Sequence, residues 1–388
     1  MDATLGHYGV GRGGGAEWSV VYELRDGLNR TVADITDLVT SGSADFDPDK
    51  TVSGQFSGQL DRPFRALPYQ DFLAPIVTIT PFDGRPPMTR QQGLFRMRRG
   101  AMTWTDDAER GVIAAGRLTL DDLTGTVRDA RLGDTYNVAA GVRYTDAARL
   151  VLQEVTLPDG ALLRVKLPND SRTLPTAMTW GANESRLKVA GDLLTKIGCY
   201  TPWASWDGVL ISTYYRDYDL ISPGHTYRAR VDSQIIAPPE TDSDDTGLAN
   251  QITVVQEDTD PAKRFRAVWD VIDPRSDIHR TKVGLRPRVE VVSQYADLAA
   301  VTAYGMRLAS LAGSVPETLS LTTHLELSHE AYELYAVDLS GASRPGDDRA
   351  AIDGRWRSAG LKQDFDNGQS IVRAARNQPF VLSRSGVI

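Results

Sequence analysis

Short segments in which apolar and polar residues alternate, each closed by turn residues, recur along most of this chain and restrict its fold more than any single motif does. They include Glu17–Leu24 (EWSVVYEL), TVSGQFSGQL beginning at Thr51, APIVTITPF beginning at Ala74, and Gly111–Leu123 (GVIAAGRLTLDDL). Alternation with a period of two sends successive side chains to opposite faces, so each segment reads as a strand. The 34 glycines and 20 prolines favour many short strands and turns over a helical protein. Strand edges need cover, which small barrels or a neighbouring subunit supply.

Helical spacing appears in two places. In ESRLKVAGDLLTKIGCYTPWASWDGVLI, Leu187, Ala190, Leu194 and Ile197 recur at helical intervals, and Gly198 follows as a C-terminal cap. Tyr200 to Trp206 then reads as an extended segment, Asp207-Gly208 as a tight turn and Val209 to Thr213 as the returning strand. Tyr200, Trp203, Trp206 and Leu210 are expected to brace this hairpin against Leu187, Leu194 and Ile197, which explains both tryptophans without a ligand. The strand-to-helix order of TYNVAAGVRYTDAARLVLQEV (Thr135–Val155) recurs about forty residues on in TAMTWGANESRLKVAGDLLTKI (Thr176–Ile197), a pair too short to be a solenoid. Later, Leu298, Val301, Tyr304, Leu308 and Leu311 form an apolar helical stripe.

A length of 388 residues exceeds one ordinary core. The expected plan is mainly β with α+β insertions: two small β-barrel domains and helix-containing accessory domains. Residues 1–16 form a flexible lead-in, 17–125 the first barrel, and 126–223 an accessory domain with the helix and hairpin. Residues 224–290 begin the second barrel, 291–317 form a helical segment, and 318–388 complete the barrel with C-terminal strands. The acidic PPETDSDDTGLAN reads as a hairpin loop or mobile surface segment.

Several chemistries find no support. The balance of 43 basic and 51 acidic residues, both signs interspersed, argues against a general nucleic-acid binder. Arg96, Arg98 and Arg99 form the best local basic patch and read as a solvated strand end. The glycines of GVGRGGG (Gly9–Gly15) follow no strand and lack the Lys-Ser/Thr ending of a phosphate loop. Cys199 is the single cysteine, which excludes an internal disulfide and a cysteine-rich zinc site. His7, His225, His279, His324 and His329 lack metalloprotease spacing; His324 and His329 read as surface or local packing residues. In DFDPDKTVSG, Asp45, Asp47 and Asp49 are spaced like calcium-loop ligands, but Lys50 and Phe56 stand where such a loop needs Gly and Glu. A solvated acidic turn is the expectation there, and a hairpin turn at DFDNG (Asp364–Gly368). No catalytic, cofactor-binding or metal residue is assigned, and no enzyme activity is expected. With no apolar run of about 18 residues and no basic-apolar leader, neither membrane insertion nor secretion as a separate polypeptide is expected.

With these segments in place, the chain resembles the baseplate or tail hub proteins of long-tailed bacteriophages and related contractile injection systems. The resemblance runs diffusely from Ser19 to Phe380. It is carried by AERGVIAAGRLTLDDLTGTVRDARLGDTYNVAAGVRYTDAARLVLQEV, TLPTAMTWGANESRLKVAGDLLTKIGCYTPWASWDGVLIS, LANQITVVQED and DLAAVTAYGMRLASL. It implies that the two barrels are related to phage tail-tube folds and that three copies form a homotrimer whose six barrels continue the tube's ring. The implied partners are a distal tail protein or tail-tube ring, a tape measure protein, and central fibre, spike or receptor-binding tip proteins. DNA would pass transiently without sequence-specific binding. The implied location is the virion tail tip or baseplate, after assembly in the bacterial host cytoplasm. A distal-tail adaptor or receptor-binding tip protein is the alternative, and a cell-wall-degrading enzyme a more distant one.

Overall fold

In the computed structural model the alternating segments form strands. The structure describes residues 16–64, 71–97, 103–107, 111–215, 222–228, 234–242, 248–276, 278–314, 318–339, 354–376 and 380–388. The glycine-rich stretch Gly9–Gly15, residues Arg98 and Arg99, and part of PPETDSDDTGLAN lie outside them. Among the described residues five α-helices accompany the strands: α1 (Leu123–Asp129), α2 (Tyr144–Gln153), α3 (Arg186–Thr195), α4 (Arg280–Val283) and α5 (Leu298–Ser314). Among the described residues no helix is long and apolar enough to cross a membrane.

Two sheets face each other in the first part of the chain. One has the strand order Thr31–Asp34, Ala16–Arg25, Phe72–Pro81, Met88–Gln91, with Phe95–Arg96 also on Phe72–Pro81. Its buried face supplies Tyr22, Leu24, Val77 and Ile79, which meet Ala44, Phe56, Leu118 and Leu120 of the second sheet in one core. The pairing of opposed apolar faces is the usual answer to strands that are half polar.

The second sheet has ten strands and overturns the expectation of two barrels. Its main path runs Glu240–Asp242, Thr318–His324, Gln369–Arg376, Gly354–Asp364, Val39–Phe46, Gly54–Phe64, Gly111–Asp121, Thr103–Asp107. Strands from both ends of the chain therefore share one sheet, and among the described residues none of the sheets closes on itself. The reason lies in Gly354–Asp364. One side pairs with Gln369–Arg376. The other pairs with Leu334–Val337 over its first half and with Ser43–Phe46 over its second, in the register Leu361↔Phe46 to Asp364↔Ser43. The edge that a C-terminal barrel needs for closure is thus taken by an N-terminal strand. Mainly β with helical insertions holds; the separate barrels do not.

Between these halves, the duplicated strand-helix units pair with each other. Tyr136–Val138 lies antiparallel to Met178–Trp180, and Ala148, Val151 and Leu152 of α2 share a core with Val189, Ala190 and Leu193 of α3.

A separate four-stranded sheet, ordered Pro287–Val292, Gln251–Gln256, Phe265–Val271, Phe380–Val387, carries α5 on one face. Val301, Leu308 and Ala309 pack there with Ile252, Val254 and Trp269, and Leu298 and Tyr304 border the cluster. The helix sits close because Gly305 lies against Trp269: a Cβ there would stand 2.1 Å from the indole. Gly305→Ala gains about 1 kcal/mol of helix propensity but overpacks a filled contact at about 1–3 kcal/mol. An overlap this deep lies at the upper end, so urea unfolding is expected to show a net loss of about 1–2 kcal/mol.

Candidate functional site

The two tryptophans singled out above lie where three parts of the chain converge. Ser185 caps α3, its Oγ accepting from Lys188 N at 3.1 Å. The helix ends at Gly198, whose φ of +75° suits glycine. A Cβ there would lie 2.9 Å from Ala303 of α5. Trp203–Ala204 and Leu210–Ile211 then pair as a short hairpin, and Ser205 N donates to Val209 O across its turn. Leu210 shares a core with Leu187, Leu194 and Ile197.

The aromatic residues of the hairpin go elsewhere. Trp206 is 8% exposed and belongs to the cluster of Tyr227, Tyr335, Trp356 and Leu361. Its ring lies 3.9 Å from that of Phe46 at 67°, its Nε1 donates to His329 O at 2.6 Å, and its carbonyl accepts from Gly93 N at 3.0 Å. Tyr200 and Trp203 cluster with Tyr215 and Tyr332. Tyr200 stacks on Tyr332 at 3.8 Å and 22°. Leu298, Val301, Tyr304 and Leu308 form the α5 contacts already described, Tyr304 also touching the aromatic cluster.

Tyr332 was not foreseen. Its φ of +60° is unusual for a bulky side chain, at a cost of order 1–3 kcal/mol. The stack on Tyr200 and a 2.8 Å hydrogen bond from its hydroxyl to Pro48 O hold it there. Pro48 lies in the acidic turn, whose carboxylates are largely engaged rather than solvated. Asp45 accepts from Arg373. Asp49 pairs with Arg357 at 3.0 Å and with Arg307 of α5 at 3.3 Å. Arg307 also lies over the rings of Tyr200 and Tyr215, at 5.4 and 5.3 Å.

The turn thus ties the first strands to the last ones and to α5. Among the described residues no group of three or more His, Cys, Asp and Glu is arranged to hold a metal. DFDNG forms the turn joining Gly354–Asp364 to Gln369–Arg376, with Asp366 and Asn367 N donating to Asp364 Oδ1.

Histidines gather beside the junction. His329 is buried, and Tyr227 Oη bonds its Nε2; its ring lies 5.1 Å from that of His225. The largely buried Glu326, its side chain 11% exposed, lies 4.0 Å from His225 Nε2. Burial pushes its carboxyl up, but the facing histidines and the Ser328 hydrogen bonds outweigh this and hold it below the usual range. Burial pushes the Cys199 thiol up to about 12, the state of an unreactive packing residue.

Asp170 anchors the far side of the hairpin. Burial raises its carboxyl, yet hydrogen bonds from Arg172 and from Tyr214 Oη, the latter at 2.6 Å, prevail and bring it down to about 2. A depressed carboxyl contributes stability above its unfolded value near 3.8 and loses it as pH falls through the folded value. Asp170→Asn is therefore expected to cost about 2 kcal/mol at pH 7. Denaturant unfolding at stepped pH should show that difference shrinking between about pH 4 and pH 2.

Three solved structures, all of tail proteins, share this fold over most of their length. The tail protein from Neisseria meningitidis MC58 has a TM-score of 0.59 and 17% identity, over 92% of this chain and 97% of that one. The 43 kDa tail protein of prophage MuSo2 from Shewanella oneidensis has a TM-score of 0.57 and 13% identity, over 92% and 98%. Prophage tail protein gp18 from Listeria monocytogenes EGD-e has a TM-score of 0.52 and 12% identity, over 93% and 95%. At these identities the likeness is one of fold. No protein-family model matches the chain, and no curated protein matches it.

Proposed function

We propose that this chain is a structural hub of a phage-type tail tip or baseplate. Three copies join a sixfold tail tube or distal-tail ring to threefold central fibre, spike or receptor-binding proteins. They surround the passage for tape measure and DNA, in a virion tail assembled in the bacterial cytoplasm. The observation that carries this reading is the fold likeness to three tail proteins along nearly the full length of both partners. Its work is assembly: repeated contacts around a ring act together because each docked copy fixes the position of the next.

The strand Pro287–Val292 supplies a surface for contact between copies. It is an edge strand, paired only with Gln251–Gln256 among the described residues. Val289 and Val291 are 60% and 59% exposed on the face away from α5. Val289→Asp with Val291→Asp is expected to change monomer stability by less than about 1 kcal/mol, because both side chains are solvated. The same pair should shift the mass distribution of the chain, co-purified with its neighbouring tail proteins, away from the trimer. A trimer undiminished by both substitutions would remove this strand from the interface. A different copy number in the wild-type assembly would reject the hub itself.

A further inference from the structure

The aromatic junction encloses a cavity of about 580 Å³, a size typical of small-ligand sites. Tyr200, Trp203, Trp206 and Tyr332 contribute to its walls, and the ionisable lining includes Glu330, Glu333, His329 and Lys166. Glu330 reaches Arg90 at 3.4 Å. Glu333 is different. Its side chain is 26% exposed, and among the described residues its carboxylate forms no ion pair with lysine or arginine; it lies 3.6 Å from His329 Nδ1 and acts electrostatically on the buried hydroxyls of Tyr227 and Tyr335. That nitrogen makes no hydrogen bond, while Nε2 of the same ring is engaged by Tyr227.

A carboxylate beside largely apolar aromatic walls selects by charge and by shape. Glu330 is exposed and matched by Arg90, and Lys166 is exposed to solvent, so Glu333 is the carboxylate that disfavours phosphates and other anions in the cavity. Electron-rich rings favour a cation whose remaining surface is apolar, because such an ion meets both the ring quadrupole and the carboxylate at little desolvation cost. We propose that this cavity binds a small organic cation of the alkylammonium class, its head on Glu333 and its methyl or methylene groups against the aromatic walls. The assignment stands on the cavity alone and does not depend on the hub reading.

The test titrates the full-length chain with choline and, separately, with its neutral isostere 3,3-dimethylbutan-1-ol. Binding is followed by isothermal titration calorimetry. Choline should bind saturably and the isostere at least about tenfold more weakly, the ratio set by about 1.4 kcal/mol of charge recognition. Glu333→Gln should lose about the same factor for choline and leave the isostere unchanged. Absence of saturable choline binding, or equal binding of both compounds, would overturn the proposal. The comparison of the two compounds needs no variant, so it decides the matter even if Glu333→Gln fails to fold.

Discussion

Replacement of Trp206 by alanine is expected to destabilise the chain by about 3–5 kcal/mol, the range for removing a large aromatic side chain from a core that relaxes poorly. The ring is almost fully buried, touches Phe46 of an N-terminal strand, and donates to His329 in the C-terminal half. Its loss therefore opens a void at a point where the hairpin meets both halves of the ten-stranded sheet. Trp206→Phe keeps most of the apolar surface but abandons the carbonyl of His329, and should cost about 1–3 kcal/mol. Urea unfolding followed by circular dichroism measures both, since the chain's seven tryptophans blur an emission signal. A loss below about 1 kcal/mol for Trp206→Ala would mean that the junction does not depend on this ring.

The second large effect is expected at Asp49. Its carboxylate faces two arginines whose side chains are only 6% and 16% exposed, Arg357 and Arg307. Taking away the shared anion leaves cationic groups in a poorly solvated place, and such losses exceed the net worth of the pair. With Asp49 itself 27% exposed, Asp49→Ala is expected to cost about 2–3 kcal/mol. A double-mutant cycle with Arg307→Ala should return a coupling of about 1 kcal/mol or more, because both side chains join one network. Additive single effects would show that Asp49 and Arg307 act separately, and would detach α5 from the acidic turn.

The strands were legible because their signal is local. A period of two is written into Glu17–Leu24 and Gly111–Leu123, and α3 and α5 follow equally local apolar spacing. Closure was not legible, because it depends on which strand takes which edge. Leu361 and Phe46 face each other across the sheet, and nothing near either residue in sequence announces the other. The DFDPDK turn shows the same limit from the side of charge. Its carboxylates were visible, but Arg373, Arg307 and Arg357 lie 328, 258 and 308 positions away from their partners.

The local pattern of the hairpin aromatics reads as packing against Leu187, Leu194 and Ile197, whereas the fold places these rings in two other clusters. That Trp206 enters the sheet cluster, while Tyr200 stacks on a left-handed Tyr332, depends on tertiary contacts absent from a local pattern. SHEAYELYAV carries no sign that Tyr332 occupies positive φ. The cavity between these rings is likewise a product of convergence, since Pro48, Trp203 and Glu333 become neighbours only in the folded chain.

Imaging of the intact tail that contains this chain tests the hub reading most directly. Three copies should lie around the central axis between the tube and the tip proteins, their sheets enclosing a continuous passage. A single copy, or copies confined to the periphery with no shared lumen, would contradict it.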